Sequence, residues 1–203
     1  MSIHHDDKVE TTRHSEVPAP RVDADFISPA AVSTTAAGKT LAALRITMGL
    51  LFLWAFADKA FGLGYATSTA KSWFNGGSPT KGFLSSVDAG PFTGMLHSWA
   101  GTWWADSLFM IGLLAIGVAL LLGVALRITA VAGTLMMAFM WIAEWPLARF
   151  NDAGKATSST NPIIDYHFVF AVVLIVLAAF AAGNTWGFGR KWAELTGNRS
   201  WLR

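Results

Sequence analysis

Apolar residues fall in four long runs, roughly Leu41 to Leu63, Ser107 to Ala125, Ile128 to Leu147 and Ile163 to Ala182, separated by more polar, glycine-containing segments. Each run is close to the ~20 residues a helix needs to cross ~30 Å of hydrocarbon. The runs are continuous and rich in Leu, Ala and Met, without the short alternating segments of a membrane strand, and they are too few to close a barrel. The pattern predicts an all-α fold, a four-helix transmembrane bundle. Residues 1–38 are polar, of mixed charge and broken by Pro18, Pro20 and Pro29, a composition that predicts a disordered tail. Residues 39–192 then form the transmembrane domain and 193–203 a short C-terminal tail. No basic stretch followed by a short apolar core opens the chain, so the first run reads as a retained span.

Four spans put both termini on one side of the membrane. Ten Lys and Arg fall on that side and five opposite, which predicts a multi-pass membrane protein with both termini cytoplasmic. The connections over about 64–106 and 149–161 then face outward. The tetrapeptide LRIT occurs at 44–47 and again at 126–129, each time where a helix starts outward. This hints at two parallel helical hairpins, although arginines at such positions also serve simply to snorkel. Nine of the ten tryptophans lie near predicted helix ends or in the outer loop, as interfacial anchors do. Trp54 is the exception, one turn before Asp58, where its indole N–H needs a partner.

Composition narrows the chemistry. The chain is 53% hydrophobic and only 14% charged, against about a quarter charged in soluble proteins. It has no cysteine, so it carries no disulfide, thiolate nucleophile or iron–sulfur ligation of its own. The formal charge of +2 is spread along the chain rather than gathered as a nucleic-acid footprint would require. His4 and His5 beside Asp6 and Asp7 read as a solvated tail rather than a metal site.

The ionisable residues of the spans collect toward the outer ends. Asp58 and Lys59 close the first run and Asp106 precedes the second; Glu144 closes the third, and Asp165 and His167 open the fourth behind Asn161 and Pro162. Carboxylates inside apolar helices are costly unless paired, protonated or wet, and they mark function by default. Asp58, Lys59, Glu144 and His167 are therefore the candidate catalytic residues, meeting from separate spans around one pocket. Trp54, Asp165 and His97 are candidates for holding a cofactor. Each has a structural alternative: Asp106 as an N-cap of the second helix, Asp165 as a partner of its own helix dipole, Lys59 as a snorkel, His167 as a satisfied core histidine and His97 as an interfacial side chain. His97 and His167 could also ligate one haem across the bundle. No Glu-x-x-His pair of the di-iron type is present, since Leu147 follows three residues after Glu144. No phosphate loop, nucleophile elbow or dinucleotide fingerprint occurs, and no metal site is expected.

The segments LRITMGLLFLWAFADKAFGLGY, NGGSPTKGFL, GPFTGMLHSWAG, WADSLFMIGLLAIGVALLLG, AEWPLARF, NPIIDYHFVFAVVLIVLA and GNTWGFGRKW, spanning about Leu41 to Trp192, resemble the DoxX/DoxD family of small bacterial membrane proteins. The resemblance implies a four-helix membrane bundle. It also implies association with redox metabolism, because the family takes its name from the membrane subunit of a thiosulfate:quinone oxidoreductase. Two functions follow as expectations. One is a redox-associated subunit whose outer pocket handles a quinone or a small reductant. The other is a non-catalytic scaffold that anchors a respiratory or oxidoreductase complex. The expected partners are the lipid bilayer, proteins of such a complex and further copies of the chain. A solute transporter would need polar groups continuing toward the cytoplasm, which the second and fourth runs lack.

Overall fold

The computed structural model describes residues 35–197 and 199–202. The tail expected over 1–38, with its His4–His5 pair, lies outside the described residues except for its last four, of which Ala36–Gly38 already belong to the first helix. The described residues contain seven α-helices and no strand. Helix α1 spans Ala36–Phe61, α2 Lys81–Ser85, α3 Thr93–Trp99, α4 Trp103–Leu122, α5 Leu126–Glu144, α6 Tyr166–Ala179 and α7 Gly189–Leu195. Helices α1, α4 and α5 are long and apolar enough to cross a membrane. At 14 residues, α6 is about 21 Å long, so only part of the apolar run Ile163 to Ala182 is helical.

Local chemistry sets the helix ends. Thr35 caps α1 by accepting from the Gly38 N–H at 3.3 Å. The helix stops at Gly62, whose left-handed backbone returns its N–H to the Asp58 carbonyl at 2.8 Å. Gly123 ends α4 in the same conformation. Trp145, also left-handed, closes α5 just before Pro146, which cannot continue the helical hydrogen bonding.

Helices pair antiparallel, α1 with α4 and α5 with α6, and α4 joins the two pairs through α5. Met48 and Phe52 of α1, Met110 and Ile116 of α4, Met137 of α5 and Leu174 of α6 share one core. The opposite faces are no more polar: Leu108 is 69% exposed and Val131 63%. Water would penalise such surfaces, whereas lipid solvates them; these are the helices of a membrane protein. In lipid, close packing replaces the hydrophobic drive to associate, and small residues permit it. A Cβ on Gly49 would stand 2.9 Å from the backbone nitrogen of Leu121, and one on Gly117 would stand 3.0 Å from that of Leu53.

Arg45 departs most from expectation. Rather than snorkelling, it is 0% exposed. Its Nη1 donates to the carbonyls of Leu120 and, at 2.8 Å, Leu121; its Nη2 donates to those of Trp186 at 2.9 Å and Thr185 at 3.4 Å. The guanidinium thus satisfies the end of α4 and the strand of chain after α6 together, in the place where a helix dipole favours a cation. Gly123 and Gly187 make room, since a Cβ on either would come within 3.0 and 3.1 Å of the guanidinium nitrogens. The second LRIT behaves differently. Arg127 is exposed, and Leu126 is buried where Leu44 is exposed, so the repeated tetrapeptide occupies a different face in each helix.

Replacing Arg45 by Lys should destabilise the protein by about 2 kcal/mol or more, because an ammonium cannot fork between two elements and leaves carbonyls unpaired. The check is thermal unfolding of the purified protein in detergent. A midpoint unchanged from the parent would contradict this account of the helix end.

Candidate functional site

The four carboxylates, His167 and Lys59 do not gather in one hollow. Asp58 is buried and accepts the backbone N–H groups of Tyr65 at 3.3 Å and Ala66 at 3.1 Å, so it pins the turn that follows its own helix. Trp54 does not turn inward beside it: the residue is 49% exposed and its ring meets Tyr65 edge-on at 5.1 Å. Lys59 places its ammonium 6.0 Å from the centre of the Phe109 ring, at the limit of a cation–π contact. Among the described residues, no hydrogen bond or ion pair joins Asp58 or Lys59 to Glu144, Asp165 or His167.

Asp106 and His97 also tie down the connection between α1 and α4. Asp106 lies in the first turn of α4, where Thr102 holds the cap position, so it is not the N-cap. Its Oδ1 accepts from the hydroxyls of Ser78 at 2.9 Å and Thr80 at 2.6 Å and from the Thr80 N–H at 2.9 Å. The His97 Nε2 lies 2.8 Å from the Val87 carbonyl, over a small core of Val87, Leu96 and Ala143 packed by Phe83, Leu84 and Trp99. That bond occupies the nitrogen a haem shared with His167 would need.

One constellation does assemble, where the end of α5 meets the start of α6. Glu144 is the last residue of α5. Asp165 is the N-cap of α6, its Oδ1 accepting from the Phe168 N–H at 2.9 Å. Asn161 instead accepts from the N–H groups of Ile163 and Ile164, both at 2.9 Å, so the helix begins four residues later than the Asn–Pro pair suggested. The second oxygen of Asp165 lies 2.9 Å from Nδ1 of the buried His167, and Glu144 Oε2 lies 3.8 Å from the same nitrogen. The Tyr166 hydroxyl donates to Glu144 Oε1 at 2.7 Å. Sequence reasoning missed Tyr166; the available signal was its place as one of only two tyrosines, set between Asp165 and His167. The indole of Trp141 donates to the Ile163 carbonyl at 2.9 Å and holds the incoming chain against α5.

Two clefts meet at this constellation. A polar cleft of about 710 Å³ is lined by Glu144, Asp165, Tyr166, Asp88 and Lys155 with the Ser/Thr run 157–160. An apolar hollow of about 360 Å³ is lined by Met137, Trp141, Ile142, Ile163 and Phe168, with His167 its one ionisable residue. Both volumes fall in the roughly 300–1,000 Å³ range of small-molecule sites. Because its Nδ1 is held by Asp165, His167 keeps Nε2 for a ligand. The arrangement can receive a flat ring on one side and exchange protons with a polar compartment on the other.

No protein-family model, curated protein or solved structure matches the chain.

Truncating Asp58 or Asp106 to Ala should loosen its own loop only. Amide exchange should accelerate about tenfold at 65–66 in the first variant and at 78–81 in the second, for the loss of about one to two kcal/mol of charge-assisted bonding. Hydrogen–deuterium exchange read by mass spectrometry checks both. Acceleration at 144–167 in either variant would mean that these carboxylates are coupled to the α5–α6 constellation after all.

Proposed function

We propose that the chain is a DoxX-like four-helix integral protein of a bacterial plasma membrane, with both termini cytoplasmic, which serves redox metabolism by handling a quinone at the α5–α6 end. The observation that carries this reading is the Asp165–His167 hydrogen bond, which joins an aromatic, apolar hollow lined by His167 to a polar cleft lined by Asp165 and Glu144. A quinone ring suits the hollow, where Trp141 and Phe168 offer flat faces. His167 Nε2 is the group placed for the ring oxygen, and Asp165 fixes the imidazole from behind.

Reducing a quinone to a quinol takes two electrons and two protons. The chain has no cysteine, so the electrons come from a small reductant in the polar cleft or from a partner redox protein. His167, with Asp165 and Glu144 beside it, supplies the proton route. Asp58, Lys59, Trp54 and His97 have no part in this reading. The fastening of the α1–α4 connection by Asp58, Trp54 and His97 favours the second reading, an accessory subunit that presents this surface to a larger respiratory or oxidoreductase complex.

Quinone binding separates the two. With protein in nanodiscs, a short-chain ubiquinone analogue should quench tryptophan fluorescence saturably. Filling the hollow with Met137→Trp, or removing the polar contact with His167→Leu, should weaken binding about tenfold or more. Quenching that rises linearly with quinone, as for partition into lipid, and is the same in all variants would leave only the anchoring role.

The spanning of α6 is tested by topology. Because the chain lacks cysteine, single cysteines introduced at Thr35, Ser158 and Arg199 report sidedness without background. An impermeant maleimide should label position 158 from the outside of cells and positions 35 and 199 only after the membrane is breached. Opposite behaviour of 35 and 199 would show that the chain crosses an odd number of times.

A further inference from the structure

We propose that Glu144, Asp165 and His167 form a binding site for a first-row divalent cation such as Zn²⁺ or Mn²⁺, open toward the polar cleft. One ligand atom from each residue lies within 4.8 Å of the other two. Nδ1 of His167 is 2.9 Å from Asp165 Oδ2 and 3.8 Å from Glu144 Oε2. A tetrahedral ion with bonds of about 2.0–2.1 Å needs ligand atoms about 3.3 Å apart, a spacing these two distances bracket. The third pair, Glu144 with Asp165, closes the triangle within 4.8 Å. One nitrogen and two carboxylate oxygens are a donor set for Zn²⁺, Mn²⁺ or Fe²⁺, and without thiolate they do not select soft ions.

Other features of the site lean the same way. Glu144 Oε1 is held by the Tyr166 hydroxyl, whereas Oε2 has no hydrogen-bond partner among the described residues and faces the histidine across the longer gap. Tyr166 and the Phe168 N–H orient the two carboxylates from outside the ligand set, as outer-shell groups do around metals. The polar cleft brings Asp88, Glu144 and Asp165 against the single cation Lys155, so its field attracts cations. Three protein ligands leave a coordination position facing that cleft, where water or a small anionic reductant would bind. The proposal stands apart from the quinone reading, because metal binding can be measured with no quinone present.

The test is calorimetric titration of ZnCl₂ and MnCl₂ into the full chain in detergent after treatment with a chelator. One ion should bind per chain. Glu144→Gln, which keeps an oxygen for Tyr166, should weaken binding about tenfold or more, and His167→Gln should do the same. Asp88→Asn, which lines the cleft outside the ligand set, and the double variant H4Q/H5Q should stay within about twofold of the parent. Where His167→Gln fails to fold, loss in Glu144→Gln together with visible absorption of a Co²⁺ complex that Zn²⁺ displaces supports the site. No binding, binding unchanged in Glu144→Gln, equal loss in Asp88→Asn, or loss in H4Q/H5Q would each overturn it.

Discussion

A guanidinium withdrawn completely from solvent needs acceptors, and the helices around Arg45 are arranged to provide them. An α-helix ends with four carbonyls that lack intrahelical partners, and in lipid no water reaches them. Arg45 meets both demands with one side chain, by donating to the end of α4 and to the Thr185–Trp186 segment. Several otherwise unrelated features follow. Trp186 is held in a left-handed conformation that a non-glycine residue rarely adopts, with its carbonyl on Nη2. Gly183 approaches so closely that a Cβ would lie 2.0 Å from the Gly123 carbonyl oxygen. The Phe188 N–H closes the set on Leu122 at 2.8 Å.

The opposite end of the protein handles charge by a different rule. Asp58 and Asp106 accept from backbone and hydroxyl groups of the long connection between α1 and α4, so each carboxylate exchanges hydration for hydrogen bonds within the protein. Asp58 fixes the start of that connection and Asp106 the segment leading into α2. Glu144, Asp165 and His167 differ because they face one another as well as their own caps. Two carboxylates and an imidazole kept together at the edge of an apolar hollow are hard to explain by packing alone. Apolar residues of similar volume would hold α5 against α6 at least as well.

The helical pairing explains why this place is distinctive. Helices α5 and α6 pack along most of their length, yet they are joined by a long connection, 145–165, rather than a tight turn. That connection folds back between their ends, fastened by Trp141 to Ile163 and by the Ser159 hydroxyl to the Pro146 carbonyl at 2.5 Å. It forms one wall of the polar cleft and adds Ile163 to the apolar hollow, which is otherwise lined by the two helices. The polar cleft and the apolar hollow are therefore linked by one hydrogen bond, with Asp165 lining the first and His167 the second.

The four apolar runs, the helical class and the concentration of ionisable groups near helix ends were legible in the sequence, because length and hydropathy act locally and need no knowledge of neighbours. Glu144, Asp165 and His167 were likewise marked as candidates, since charge in an apolar run is visible wherever it occurs. Which charges meet was decided by tertiary structure. Arg45 and its acceptors lie 75 to 141 residues apart, and Tyr166 finds Glu144 across 22. The alternative partners of Asp58 were backbone amides, which no residue code advertises. A buried polar group takes whatever donor or acceptor the packing brings within about 3 Å, and in a chain of helices that neighbour is fixed by how the helices pair.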